Sequence, residues 1–271
     1  MNQTTREQKI YQILRIAVAM CFIGHGAFGI TTKPIWCNYF AVFGIGHDLA
    51  YKLMPVAGSF DILLGIITII YPIRAVALWL VIWGLVTASL RPLSGEPFAE
   101  LIERAGNFGA PLALLILCSG GKNFSSWFRR MSPDINMDAK KMAQVAQCLR
   151  IIVFLLLLGH GWLNMIPKTG LIQQYSGLGF SNPVEIARTT GFIEIIAAIA
   201  VLIKPLASLL LLLFVWKMAS ELFYPHYEIF EWVERGGSYG SLLALYFYFA
   251  GRPYNSNEYT LSKQEQKLEF S

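Results

Sequence analysis

Long apolar runs separated by short polar breaks dominate the chain: residues 11–30, 53–71, 75–90, 107–119, 151–166, 191–203, 206–222 and 238–250. A helix that crosses a bilayer needs about 20 mostly apolar residues. Each run meets that length or approaches it once the polar residues at its ends are counted, so the pattern predicts eight transmembrane helices. The first run is longer than the apolar core of a secretory signal and lacks an Ala-x-Ala cleavage pattern, so it reads as a helix of the mature protein.

The pattern occurs twice. Leu14-Arg15-Ile16 followed by Gly24-His25-Gly26 returns as Leu149-Arg150-Ile151 followed by Gly159-His160-Gly161. In the same register Val18 matches Val153, Lys33 matches Lys168 and Gly44 matches Gly179. After a loss of two residues, Gly58, Asp61, Pro72, Trp83 and Pro92 fall opposite Gly191, Glu194, Pro205, Trp216 and Pro225. After two more, Glu103-Arg104 and Gly106 fall opposite Glu234-Arg235 and Gly237. The chain therefore divides into a first repeat (1–120), a linker (121–147), a second repeat (148–251) and a polar tail (252–271). Four spans per repeat is an even number, so both copies enter from the same side and equivalent residues lie at equal depth. The expected fold is an all-α integral membrane protein with two parallel four-helix-bundle repeats.

Composition agrees: 55% hydrophobic residues, 14% charged and a mean hydropathy of +0.50, against about one quarter charged in soluble domains. Starting the chain inside puts most of the Lys and Arg residues on one face, which places both termini in the cytoplasm. That placement accounts for the basic excess without nucleic acid. The linker, with Lys122, Arg129, Arg130, Lys140 and Lys141, reads as a hydrated connector with affinity for anionic lipid. Cys21, Cys37, Cys118 and Cys148 show neither disulfide-framework nor metal-ligand spacing. The outer loops, 31–52, 91–103, 167–188 and 223–234, hold many aromatics, among them Trp36, Tyr39, Tyr175, Tyr224, Tyr227 and Trp232. They suit an interfacial belt, or a lid over a site that opens outward.

A histidine inside a membrane helix is costly unless its ring nitrogens find partners. Counting at 1.5 Å per residue puts His25 about 20 Å from the cytoplasmic end, in the outer half of the bilayer. Asp61, on the next helix, falls at a compatible depth, and the same count pairs His160 with Glu194. Such pairs hold a proton and shift each other's titration, which suits proton-coupled redox or quinone chemistry. They can equally serve as interhelical locks. A third reading makes His25 and His160 the two axial ligands of a haem b shared across the pseudo-twofold axis. Glu103-Arg104 and Glu234-Arg235 open the last helix of each repeat, as structural ion pairs or as outer-mouth arginines that anchor an anionic substrate or a quinone carbonyl. Lys217 and Glu221, one turn apart, pair with each other, and they make the second repeat the more polar.

At these residues the sequence resembles the DoxX-like family of four-helix membrane proteins. The second repeat carries the resemblance best: Gly159-His160-Gly161, Gln174-Tyr175 with Gly177 to Gly179, Gly191-Phe192-Ile193-Glu194, and Arg235-Gly236-Gly237. The first repeat keeps the glycines and histidine but has Asp61 for the acid and lacks Gln-Tyr. The resemblance implies a tandem fusion of two such units in a bacterial or archaeal cell membrane. It also implies, in some members, a subunit of a thiosulfate:quinone oxidoreductase or another respiratory assembly. With no soluble redox domain, Cys-x-x-Cys-His or nucleotide loop in the sequence, partner subunits complete any such reaction. The candidate site is His160, Glu194, His25 and Asp61 for chemistry, with Arg235, Glu234, Arg104, Glu103, Gln174 and Tyr175 for binding. The rival expectation is a non-catalytic scaffold or assembly subunit.

Overall fold

The computed structural model describes residues 5–118, 123–133, 138–222 and 229–250. Tyr224, Pro225 and Tyr227 of the last outer loop, Lys122 of the linker and the polar tail 252–271 lie outside the described residues. Among those described, α-helices form the structure: α1 (Arg6–Ile30), α2 (Trp36–Ala41), α3 (His47–Ile70), α4 (Arg74–Leu93), α5 (Ala99–Glu103), α6 (Ala105–Leu117), α7 (Ala139–Met165), α8 (Thr169–Gly177), α9 (Pro183–Ile203), α10 (Ala207–Leu222), α11 (Ile229–Glu234) and α12 (Gly236–Phe249). Five of them, α1, α3, α4, α7 and α9, are long and apolar enough to cross a membrane. This is the make-up of a multi-pass, all-α membrane protein.

The long helices start and stop for local reasons. Thr5 and Gln8 form a reciprocal capping box that opens α1, and Pro183 sits at the start of α9, where its missing N–H costs nothing. Arginines satisfy carbonyls at helix ends. Arg74 donates to Cys118 O at the end of α6 (Nη2, 2.7 Å), and Arg150 donates to Leu202 O near the end of α9 (Nε, 2.6 Å), where positive charge also suits the helix dipole.

Helices α1 and α7 form the centre with α6 and α12. Helix α1 packs most extensively on α3 and then α12, and α7 on α9 and then α6. Leu14, Val18, Leu149, Val153, Leu114 and Leu245 are fully buried in one core. The flanking helices α3, α4, α9 and α10 expose Ile66, Ile69, Ile82, Ile193, Ile196 and Leu212, an outward apolar surface that hydrocarbon would cover. Glycines set the closest crossings. A Cβ on Gly26 would lie 2.5 Å from Gly58 O, and one on Gly191 would lie 2.5 Å from Gly161 O, so α1 meets α3, and α7 meets α9, backbone to backbone.

Three features differ from the sequence expectations. The linker is only partly a hydrated connector: α7 begins within it, and Met131, Met142, Val145 and Ala146 are buried. The spacing of the last three, one helical face, explains why they fold back onto the core. The loops 31–52, 91–103, 167–188 and 223–234 are partly helical, containing α2, α5, α8, α11 and the first turns of α3 and α9. The final apolar run of each half is preceded by a separate short helix, with a break at Arg104 (φ −88°, ψ 17°) and at Arg235 (φ −73°, ψ 1°).

Candidate functional site

His160 sits on α7, opposite Glu194 on α9. Its Nδ1 lies 2.6 Å from Glu194 Oε2. Asn164, one turn further along α7, donates to the same oxygen (3.3 Å) and accepts from Tyr175 Oη at its own Oδ1 (3.0 Å). Trp216 of α10 donates Nε1 to the other carboxylate oxygen (3.3 Å). Glu194 is 2% exposed, and Asn164, Tyr175 and Trp216, from α7, α8 and α10, thus hold one carboxylate and one imidazole in a fixed orientation. With Nδ1 tied to the acid, Nε2 is the ring nitrogen left for another partner.

These groups border a cavity of about 310 Å³ lined by His160, Leu163, Lys168, Leu171, Gln174, Tyr175, Leu178, Phe180, Trp216, Glu221, Arg235 and Glu103, among others. Gln174 donates to Ser220 O (2.8 Å), which pins α8 over α10. The charges around the cavity neutralise one another. Lys217 Nζ lies 2.8 Å from Glu221 Oε1, an ion pair by distance without hydrogen-bond alignment. Arg235 pairs with Glu103 and approaches Glu221 (3.8 Å), and Lys168 pairs with Glu100. The result is a largely apolar chamber with a polar end at His160, its lysines and Arg235 each already paired with a carboxylate.

The first half has a smaller counterpart. His25 Nδ1 lies 2.8 Å from Asp61 Oδ2, and His25 borders a cavity of about 110 Å³ with Trp36, Tyr39, Trp83, Arg91, Arg104 and Glu234. Trp36 lies against His25, the ring centroids 4.7 Å apart and the planes tilted by 32°. Aspartate is one methylene shorter than glutamate. Asp61 Oδ1 and Trp83 Nε1 are both buried without a hydrogen-bond partner among the described residues, where their counterparts Glu194 and Trp216 meet.

The Glu-Arg pairs cross between the halves, which corrects the expectation of a pair within each repeat. Arg104 Nη1 donates to Glu234 Oε1 (3.2 Å), and Arg235 Nη1 donates to Glu103 Oε1. Glu103 therefore borders the His160 cavity and Glu234 the His25 cavity. Two lysines cross as well, Lys33 to Glu231 and Lys168 to Glu100. Glycines bring the exchanging segments together: a Cβ on Gly159 would lie 2.6 Å from Glu103 Cα, and one on Gly24 2.7 Å from Glu234 Cα. Glu100, on the short helix α5 between the apolar runs of α4 and α6, is 1% exposed. Burial pushes its carboxyl up, but the Lys168 ammonium and the Arg104 and Arg91 guanidiniums outweigh that and hold it below the ordinary carboxylate range.

The ten sequence-selected residues thus fall into two groups. His160, Glu194, Gln174, Tyr175, Arg235 and Glu103 gather at the larger cavity, and His25, Asp61, Arg104 and Glu234 at the smaller. The haem reading does not fit this arrangement: a shared macrocycle needs both imidazoles facing one cavity, whereas His25 and His160 border two separate cavities, each on its own carboxylate. Among the described residues no three His, Cys, Asp or Glu side chains converge as metal ligands. Sequence reasoning passed over Trp216 and Trp36 as site residues. The register match of Trp83 with Trp216 was a usable signal for the first, whereas Trp36 was hidden among loop aromatics. Comparison with family models, curated proteins and solved structures found no match to the chain.

Proposed function

We propose that the protein is the membrane subunit of a quinone-linked respiratory redox complex, with its ligand site at the His160 cavity. The observation that carries this reading is the His160–Glu194 pair at 2.6 Å, set at the polar end of an apolar cavity whose remaining charges are mutually paired. Such a chamber suits an uncharged ligand with an apolar body and a polar edge. A bound quinone supplies two-electron, two-proton chemistry, with the electrons coming from partner subunits. His160 exchanges a proton with the ligand's oxygen through Nε2, and Glu194 stabilises the charged imidazole and fixes its tautomer. Trp216 and Asn164 keep the carboxylate aimed at the ring, and Gln174 and Arg235 border the space where the ligand's other polar atoms lie.

In this reading the chain is a tandem fusion of two DoxX-like units with eight spans, the fourth and eighth being α6 and α12, each preceded by a short helix, α5 or α11. Support comes from contacts that recur in register: His25 with Asp61 as His160 with Glu194, and Gly26 with Gly58 as Gly161 with Gly191. Both termini lie in the cytoplasm of a bacterial or archaeal cell, with lipid around α3, α4, α9 and α10.

Glu194→Gln tests the reading, because it keeps volume and hydrogen-bonding capacity while removing the titratable charge. An interhelical hydrogen bond in a membrane is worth about 0.6 kcal/mol on average, so the yield of folded protein should hardly change. Quinone-linked turnover or quinone binding should fall sharply. Should Glu194→Gln retain wild-type turnover while His160→Leu only lowers the folded yield, the pair is interhelical glue and the chain is a scaffold subunit.

A further inference from the structure

We propose that the space against the His160 imidazole is a slot for a flat, uncharged ring lying tilted against it, and that in the first half Trp36 fills the equivalent slot itself. The inference comes from comparing the two cavities within one chain. Leu171 stands in register with Trp36 as His160 does with His25. Both residues come from the outer-loop helices, both border their cavity, and both are buried, Trp36 at 7% and Leu171 at 5% exposure. Other lining positions correspond in the same way, Tyr39 with Gln174, Trp83 with Trp216 and Thr87 with Ser220. The two cavities are therefore one architecture with different fillings.

One conspicuous difference at the histidine is the indole. Each imidazole is turned by its own carboxylate, His25 by Asp61 at 2.8 Å and His160 by Glu194 at 2.6 Å, so each presents a ring face set by an equivalent bond. Against His25 lies the Trp36 indole, tilted by 32° with the centroids 4.7 Å apart, within the range that aromatic pairs prefer. Against His160 the shorter Leu171 leaves space, and the cavity is about 310 Å³ instead of about 110 Å³. The indole thus marks, inside the same protein, where a planar group rests beside a carboxylate-bound histidine. The ring is uncharged because Lys217, Arg235 and Lys168 are each already paired with a carboxylate. Identifying the ring as a quinone rests on the function proposed above; the role of Trp36 rests on geometry alone. The chain accordingly binds one ring ligand, in its second half.

The test uses the full-length chain in nanodiscs of defined lipid, with a short-chain benzoquinone as probe and equilibrium dialysis as readout. Wild type should bind one probe per chain, Trp36→Leu two and Leu171→Trp none, with Leu171→Trp melting at or above wild type because its indole enters existing space. One site in Trp36→Leu, or undiminished binding in Leu171→Trp, would overturn the slot while leaving the quinone reading intact. If none of the three proteins binds the probe, the quinone reading fails and melting decides the slot. Leu171→Trp as stable as wild type then supports it. A clear loss of stability, or failure to fold, overturns it.

Discussion

Adding a single methyl group at Gly159 should loosen the junction between the two halves. The Cβ of Gly159→Ala would lie 2.6 Å from Glu103 Cα, whereas ordinary contact begins at 3.4 Å. Glu103 N would be nearer still, so either α7 or the α5–α6 junction must retreat by about 1 Å, and the obstructing atoms are backbone, which cannot rotate aside. Overpacking of this kind costs about 1–3 kcal/mol. We expect the upper part of that range, about 2–3 kcal/mol, because the retreat also stretches the buried pair of Glu103 with Arg235. At roughly 2–4 °C per kcal/mol for a chain of this order of size, the apparent melting temperature in nanodiscs should fall by about 5–10 °C. Gly24→Ala, which meets Glu234 in the same way, should behave alike. Gly177→Ala is the control, since nothing lies within 4 Å of its added carbon, and it should stay within about 0.5 kcal/mol of wild type. If Gly159→Ala melts with Gly177→Ala, the close approach of α7 to Glu103 is wrong, and with it the account of how the halves are joined.

Three further outcomes follow from the crossed contacts and the charge distribution. Glu103→Gln and Arg235→Gln should each destabilise the protein by about 3–5 kcal/mol, because each strands a buried charge, and the double variant should lose less than their sum; strict additivity in a thermal double-mutant cycle would deny the pairing. Glu100, its carboxyl held low in the folded protein, adds stability that is present above its unfolded value of about 4.3 and lost as pH falls below it. The melting difference between wild type and Glu100→Gln should accordingly be large at about pH 6 and shrink towards about pH 3, and a difference that grows on acidification would reverse the assignment. A reporter active only outside the cytoplasm should work when inserted near Ser94; silence there, with activity near Ser132, would invert the topology.

The helical make-up and the long spans were legible in the sequence, because an apolar run long enough to cross a bilayer leaves its backbone little choice but to bond within itself. The meeting of His25 with Asp61 and of His160 with Glu194 was legible too. A helix rises by a constant amount per residue, so depth can be counted, and two polar groups at one depth in an apolar surrounding seek each other. The pairing of Lys217 with Glu221 follows from the same local geometry, four residues along one helix. Depth does not say which helix lies beside which. The exchange of Glu103 to Arg235 and of Glu234 to Arg104 depends on α1 packing against α11 and α12, and α7 against α5 and α6. Nothing local distinguishes that arrangement from a pair kept within each half, since Glu103 and Arg104 are adjacent in either case. The unequal cavities were hidden for the same reason. Trp36 and Leu171 both read as loop apolar residues, and only the folding of α2 and α8 over the histidines makes one a filled slot and the other an open one.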